Sequence, residues 1–163
     1  MNEKYLFILL LLIITFTCYS QDSGFGMGII VGEPTGISAK LWMTGTSGLV
    51  FGAAWSFLTD ESESTENGEG SHLHLAFHID YVFHALDLFD IPGGKVGAYI
   101  GGGGRIKILD NGIILGCRIP LGLVYFNEPL TIDVFIELVH VMELYPETRV
   151  SGNGGIGIRY YFG

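Results

Sequence analysis

Four histidines and an aspartate crowd into one short stretch, His72, His74, His78, Asp80 and His84, all at even spacings. On an extended chain such spacings put all five side chains on one face, because successive strand residues point to opposite sides. His72 and His74 would stand ~6.5 Å apart along the strand, close enough for two imidazoles to share a metal ion. No third ligand is identifiable. His78 lies ~13 Å beyond His74 along the strand, too far to join them. The competing reading makes the histidines polar filler that hydrogen-bonds inside a fold, and no cofactor is expected. Ser56, with a histidine nearby, is the one candidate for a nucleophile of the kind a lipid-modifying enzyme would need, and no nucleophile setting surrounds it. Gly152-x-Gly154-x-x-Gly157 has the letters of a dinucleotide loop but runs into a terminal strand with no helix to receive a phosphate, so it carries no such function.

A second set of charged residues falls, each within its own alternating segment, on the same face as these histidines: Lys40, Arg105, Lys107, Arg118 and Arg159 against Asp80, Asp133 and Glu137. Either these line a water or ion path, or they pair with one another as an interior plug.

The elements that would position these groups are strands. Eight alternating segments can be marked, at about 24–32, 35–43, 48–58, 71–84, 95–108, 112–126, 130–143 and 151–162. Turn chemistry separates them, as at Asp110-Asn111-Gly112 and Tyr145-Pro146-Glu147. One face of the segments is apolar and free of charge, for example Phe25, Met27, Ile29 and Val31, or Leu73, Leu75, Phe77, Ile79, Tyr81 and Phe83. The other combines glycine with the ionic residues above. Only 15% of the residues are charged, yet after the first twenty residues no apolar run reaches 18. A chain that faces lipid through every second residue reconciles the two. A soluble ligand-carrying barrel of lipocalin type would alternate as well, but would have to dissolve by a face made largely of glycine. The expected fold is therefore all-β, an eight-stranded antiparallel up-and-down transmembrane β-barrel, with aromatic girdles that include Trp55, Phe57, Tyr125, Tyr160 and Phe162.

Residues 1–20, with Lys4 ahead of an apolar run from Tyr5 to Phe16, read as an export signal cleaved before Gln21, leaving one domain over 21–163. The alternative is acylation of Cys18. Loss of residues 1–20 removes Glu3 and Lys4, one charge of each sign, so the net charge stays at −9. That charge disfavours nucleic acid as a partner.

The last strand, Gly157-x-x-Tyr160-x-Phe162, is similar to the assembly signal of outer-membrane barrels. The chain resembles the small eight-stranded barrels of OmpA or OmpX transmembrane type, and more narrowly an uncharacterised family of such bacterial barrels. The narrower resemblance rests on segments such as 32–40, 116–122 and Pro129-x-x-x-Asp133-x-Phe135-x-Glu137. It implies a monomer in the bacterial outer membrane, surrounded by outer-membrane lipid and inserted by the barrel-assembly machinery; it implies no activity. Gly163 after the terminal aromatic and Gly155 in place of a polar residue depart from the pattern. With both ends periplasmic, the connection 59–71, carrying Asp60, Glu61, Glu63, Glu66 and Glu69, would face outward and offer a surface for an extracellular partner. Segment 85–94 is longer and more apolar than a periplasmic turn should be, and is expected to form a small helix or to lie on the membrane surface.

Overall fold

The computed structural model describes residues 24–33, 35–56, 74–109, 112–127 and 131–162; the side chains of Ser56, His74, Asp87 and Asp90 are not described. The export signal with Cys18, the girdle residue Phe57, His72 and the acidic connection 59–71 lie outside these residues.

Eight strands follow one another in chain order: β1 (Phe25–Glu33), β2 (Thr35–Trp42), β3 (Ser47–Ser56), β4 (His74–Ile91), β5 (Gly94–Leu109), β6 (Gly112–Asn127), β7 (Ile132–Tyr145) and β8 (Arg149–Phe162). Each pairs antiparallel with its sequence neighbour, and β8 pairs back onto β1, closing the barrel. Closure leaves no open sheet edge. The even strand number puts the start of β1 and the end of β8 at one end, called here the terminal end.

Alternation decides the two surfaces. Phe25, Met27, Ile29, Val31, Phe77, Ile79, Ile119, Leu121, Leu123, Ile136 and Leu138 are exposed on the outside, whereas Lys40, Asp80, Arg118, Asp133, Glu137 and Arg159 are buried inside. The apolar face is thus the outer surface and the charged face lines the interior, the reverse of a soluble ligand carrier. On β7 the outer face continues beyond Leu138 through His140, which is exposed.

The glycines of the inner face stand opposite large side chains on the adjacent strand. Gly52 pairs with His78, Gly122 with Tyr99 and Gly157 with Phe135. A Cβ on any of these three would run into the facing ring. Small-opposite-large pairing is how so narrow an interior accepts long side chains.

Two expectations change. Segment 85–94 is not a helix: β4 continues to Ile91, a tight turn at Pro92-Gly93 reverses the chain, and β5 starts at Gly94. The pairing slips between Ala85↔Ala98 and Phe89↔Val96, so extra residues on β4 form a bulge. The bulge interrupts the even alternation that marks a strand, which is why the segment reads as irregular. Nor is the interior only small and ionic: Val50, Val82, Tyr99, Val124 and Phe135 form a buried apolar cluster within it.

Candidate functional site: the filled lumen

The charged inward side chains form groups on either side of the apolar cluster. Nearer the terminal end, Arg159 on β8 donates through Nε to both carboxylate oxygens of Asp133 on β7, at 3.0 and 3.2 Å. These two residues are register partners, so the ladder itself aligns the pair. Tyr161 donates its hydroxyl to Asp133 Oδ2 at 2.6 Å, and a second guanidinium nitrogen of Arg159 reaches Ser38 Oγ at 3.4 Å. The guanidinium also lies 4.0 Å from the centroid of the Phe135 ring. Burial of both charges is thus matched by hydrogen bonds on each side, as a dry ion pair requires.

Lys40 shares this region and is 0% exposed. Its ammonium donates to Nε2 of His84 at 2.8 Å and sits 3.7 Å over the Trp42 ring and 5.3 Å from that of Phe126. Two aromatic faces and an imidazole hold this cation in place of a carboxylate. Beyond it the terminal end opens into a cavity of about 530 Å³, whose walls include Trp42, Leu86, Phe126, Thr131 and Tyr161.

On the other side of the apolar cluster, Arg118 on β6 bridges two acids. One of its terminal nitrogens donates to Glu137 Oε1 at 3.0 Å, while Nε approaches Asp80 Oδ2 at 3.0 Å. Tyr99 donates to the second oxygen of Glu137 at 2.8 Å. Asp80 is bound less well. The Arg118 contact is close in distance but lacks hydrogen-bond geometry, and neither Asp80 oxygen accepts a hydrogen bond from the described residues. His78 Nε2 stands 3.7 Å from Asp80 Oδ2. Further from the terminal end, Arg105 donates to Glu143 Oε1 at 3.1 Å. Lys107 is half-buried two positions past Arg105 on the same face.

The ionic residues singled out in the sequence therefore all face inward but divide into separate groups: Asp133 with Arg159, with Lys40 nearby; Asp80, Arg118 and Glu137; and Arg105 with Glu143. Sequence reasoning missed Glu143, Trp42, Phe126 and Phe135. Parity along β7 marks Glu143 and Phe135, and parity along β2 and β6 marks Trp42 and Phe126; the signal was present in each strand.

Among the described residues, no group of three or more His, Cys, Asp or Glu side chains converges as metal ligands. His74 lies on β4 opposite Ser56 of β3, which brings the backbones of these two candidates together. His84 belongs to the Lys40 group, away from His78.

At the closing seam, Phe162 pairs with Phe25 and Tyr160 with Met27, and both aromatics are exposed on the outer face. Gly157 instead turns inward and pairs with Ile30 of β1 on one side and Phe135 of β7 on the other. Its lack of a side chain admits the Phe135 ring, a packing reason for the glycine that stands beside any role in assembly.

A closed eight-stranded up-and-down barrel, apolar outside and ionic inside, defines the class: the fold is that of the small outer-membrane barrels of OmpA-like type. In particular, the chain is similar to the N-terminal β-barrel domain of Pseudomonas aeruginosa OprF, known from a crystal structure, with a TM-score of 0.61 and 16% sequence identity over 88% of this chain and 100% of that one. The likeness is one of fold. No family model matches the chain, and no curated protein matches it.

Proposed function

We propose that this chain is an outer-membrane β-barrel whose lumen is a plug, and that it acts as a structural or surface-interaction protein through the connection 59–71. The observation that carries the reading is the filling of the interior. The Asp133–Arg159 and Arg118–Glu137 pairs are separated by an apolar layer that includes Val82, Val124 and Phe135, each no more than 2% exposed. An ion crossing that layer would lose its hydration without a compensating partner. The 530 Å³ cavity fits the same reading, since its lining comes from residues at the terminal end. The exposed apolar exterior matches what lipid contact demands of every second residue.

Membrane fractionation, with gel mobility of unboiled against boiled detergent extracts, tests the location: outer-membrane sedimentation and a heat-dependent shift are expected, and a soluble fraction free of detergent overturns it. Planar-bilayer recording tests the plug, with no steps above baseline expected; steady single-channel conductance from the unmodified chain would make it a pore. Deletion of 59–71 should leave membrane location and heat shift intact while abolishing any binding to cell-surface or extracellular components.

A further inference from the structure

The wall of the barrel is not equally tall all round. β1 and β2 have nine and eight residues, against sixteen each for β5 and β6. On β1 the outward apolar residues run from Phe25 to Val31, ~20 Å along the strand at ~3.3 Å per residue and ~15 Å along the barrel axis at a tilt of ~40°. On β5 they run from Val96 to Ile108 and on β6 from Ile113 to Tyr125, ~40 Å along the strand and ~30 Å along the axis by the same geometry.

The short side is bounded at its top by the chain itself. β1 ends at Glu33 and β2 begins at Thr35, whose Oγ1 both donates to the Gly32 carbonyl at 2.9 Å and accepts from the Gly32 amide at 3.3 Å, tying the two strand ends together. From Ile29 the pairing rows reach Ile106 on β5 one way round the barrel and Val96 the other way, so Ile29 stands level with about Gly101 and Phe25 with about Gly97; the two sides start at similar levels near the terminal end, and the height is missing at the opposite end. Tilting the whole barrel would slide the short side along the membrane normal without lengthening it.

We propose that the β1–β2 side is a membrane-thinning face, covered by bilayer lipid whose headgroups, in the leaflet away from the terminal end, lie lower than around the rest of the barrel. The proposal rests on the outer-membrane reading above. Lipid is the occupant because Phe25, Met27, Ile29, Val31 and Ile37 are exposed and carry no polar side-chain atom for a protein partner to pair with. An apolar band ~15 Å tall falls short of the ~25 Å band usual in these barrels, and a bilayer meets such a shortfall by thinning. The consequence falls on the lumen. A hollow of about 20 Å³ near this low wall is lined by Glu33, Ile37, His78, Arg118 and Glu137, so the thinned side brings headgroups towards the level of the Arg118 group.

Two outward positions at about the same height test this. Val31 pairs with Ile156, which pairs with Ile136, and Leu138 is the next outward residue on β7; strand tilt raises the β1 position to roughly its level. Val31→Cys and Leu138→Cys, each in a Cys18→Ser, Cys117→Ser background, would carry a nitroxide label in phosphatidylcholine vesicles with 16-carbon chains. Collision with oxygen against a water-soluble nickel complex reports depth. The expected result is Leu138 within hydrocarbon and Val31 at the headgroup level, with at least a fivefold higher nickel-to-oxygen accessibility ratio at Val31. Equal depth within hydrocarbon overturns the thinning and leaves the barrel in its membrane. Water-like accessibility at both positions overturns the membrane reading itself.

Discussion

Two ionic groups of the lumen, those of Asp133 and Asp80, hold similar charges by different means. Around Asp133 every polar contact is completed: Arg159 donates to both oxygens, Tyr161 adds a third hydrogen bond, and Phe135 covers the guanidinium. Around Asp80 the acid is equally buried, at 1% exposure, but accepts no hydrogen bond from the described residues, and Arg118 is shared with Glu137. The difference teaches that a buried charge need not be a structural keystone. What sets its contribution is how completely its partners satisfy it and whether they have an alternative when it is gone.

The comparison is broken most directly at Asp133. Asp133→Ala leaves the Arg159 guanidinium buried without its carboxylate, and removal of one member of such a pair costs about 3–5 kcal/mol. Urea unfolding in lipid vesicles should show a loss of that order, or a failure to acquire the heat-resistant folded form. A loss below about 1 kcal/mol would mean that Ser38 and Phe135 hold Arg159 unaided, and the keystone reading would go.

Gly157 sharpens the same point through packing. Its absent side chain lets the Phe135 ring lie across β8 and beneath Arg159. Gly157→Ala should cost about 1–3 kcal/mol, the usual penalty for overfilling a packed site. Because the Phe135 ring makes the nearest clash, ahead of the Ile29 carbonyl, Phe135→Leu in the same chain should recover part of the loss, and a double-mutant cycle would register the coupling. Strict additivity of the two changes would show that the ring does not require the glycine.

How far the sequence foretold this depends on parity. The strands, the closure and the sidedness of the ionic residues were legible because one residue in two turns to the apolar outer surface and the alternation rarely falters. The division of those residues into groups was not, because partners such as Asp133 and Arg159, or Arg118 and Glu137, lie 19 to 26 positions apart and meet only once the register is set. Segment 85–94 misled because the bulge after Ala85 breaks the alternation while the strand goes on. The apolar layer was overlooked for a related reason: Val50, Val82, Val124 and Phe135 are ordinary strand residues, and only their parity with the inward residues of their own strands, Gly52, Asp80, Arg118 and Asp133 in turn, places them inside.

At Asp80 the expected effect is smaller. Asp80→Asn keeps the shape and removes a charge that receives no completed hydrogen bond, while Arg118 retains Glu137. A change within about 1 kcal/mol is expected, well below that of Asp133→Asn measured in the same vesicles. If the two asparagine variants lose the same stability, the two groups are equivalent and the contrast drawn between them fails.

Lys40 gives the change whose sign is most telling. It is a fully buried ammonium with an imidazole and two ring faces as partners, and the nearby Asp133 is already satisfied by Arg159 and Tyr161. Replacing a buried charge by an apolar side chain of similar length is often neutral or stabilising, whereas deleting the partner of a well-made pair is costly. Lys40→Met should therefore leave stability unchanged or raise it by up to about 2 kcal/mol, with the Met side chain packed against Trp42 and Phe126. His84→Ala, by contrast, removes the side-chain acceptor that the ammonium has among the described residues and should destabilise by about 1–3 kcal/mol. In the Lys40→Met chain the same His84→Ala change should cost less, because no buried cation is then left without its acceptor. Were Lys40→Met as damaging as Asp133→Ala, the lysine would be tied electrostatically to the Asp133–Arg159 pair, and the terminal-end group would have to be treated as a single three-charge unit.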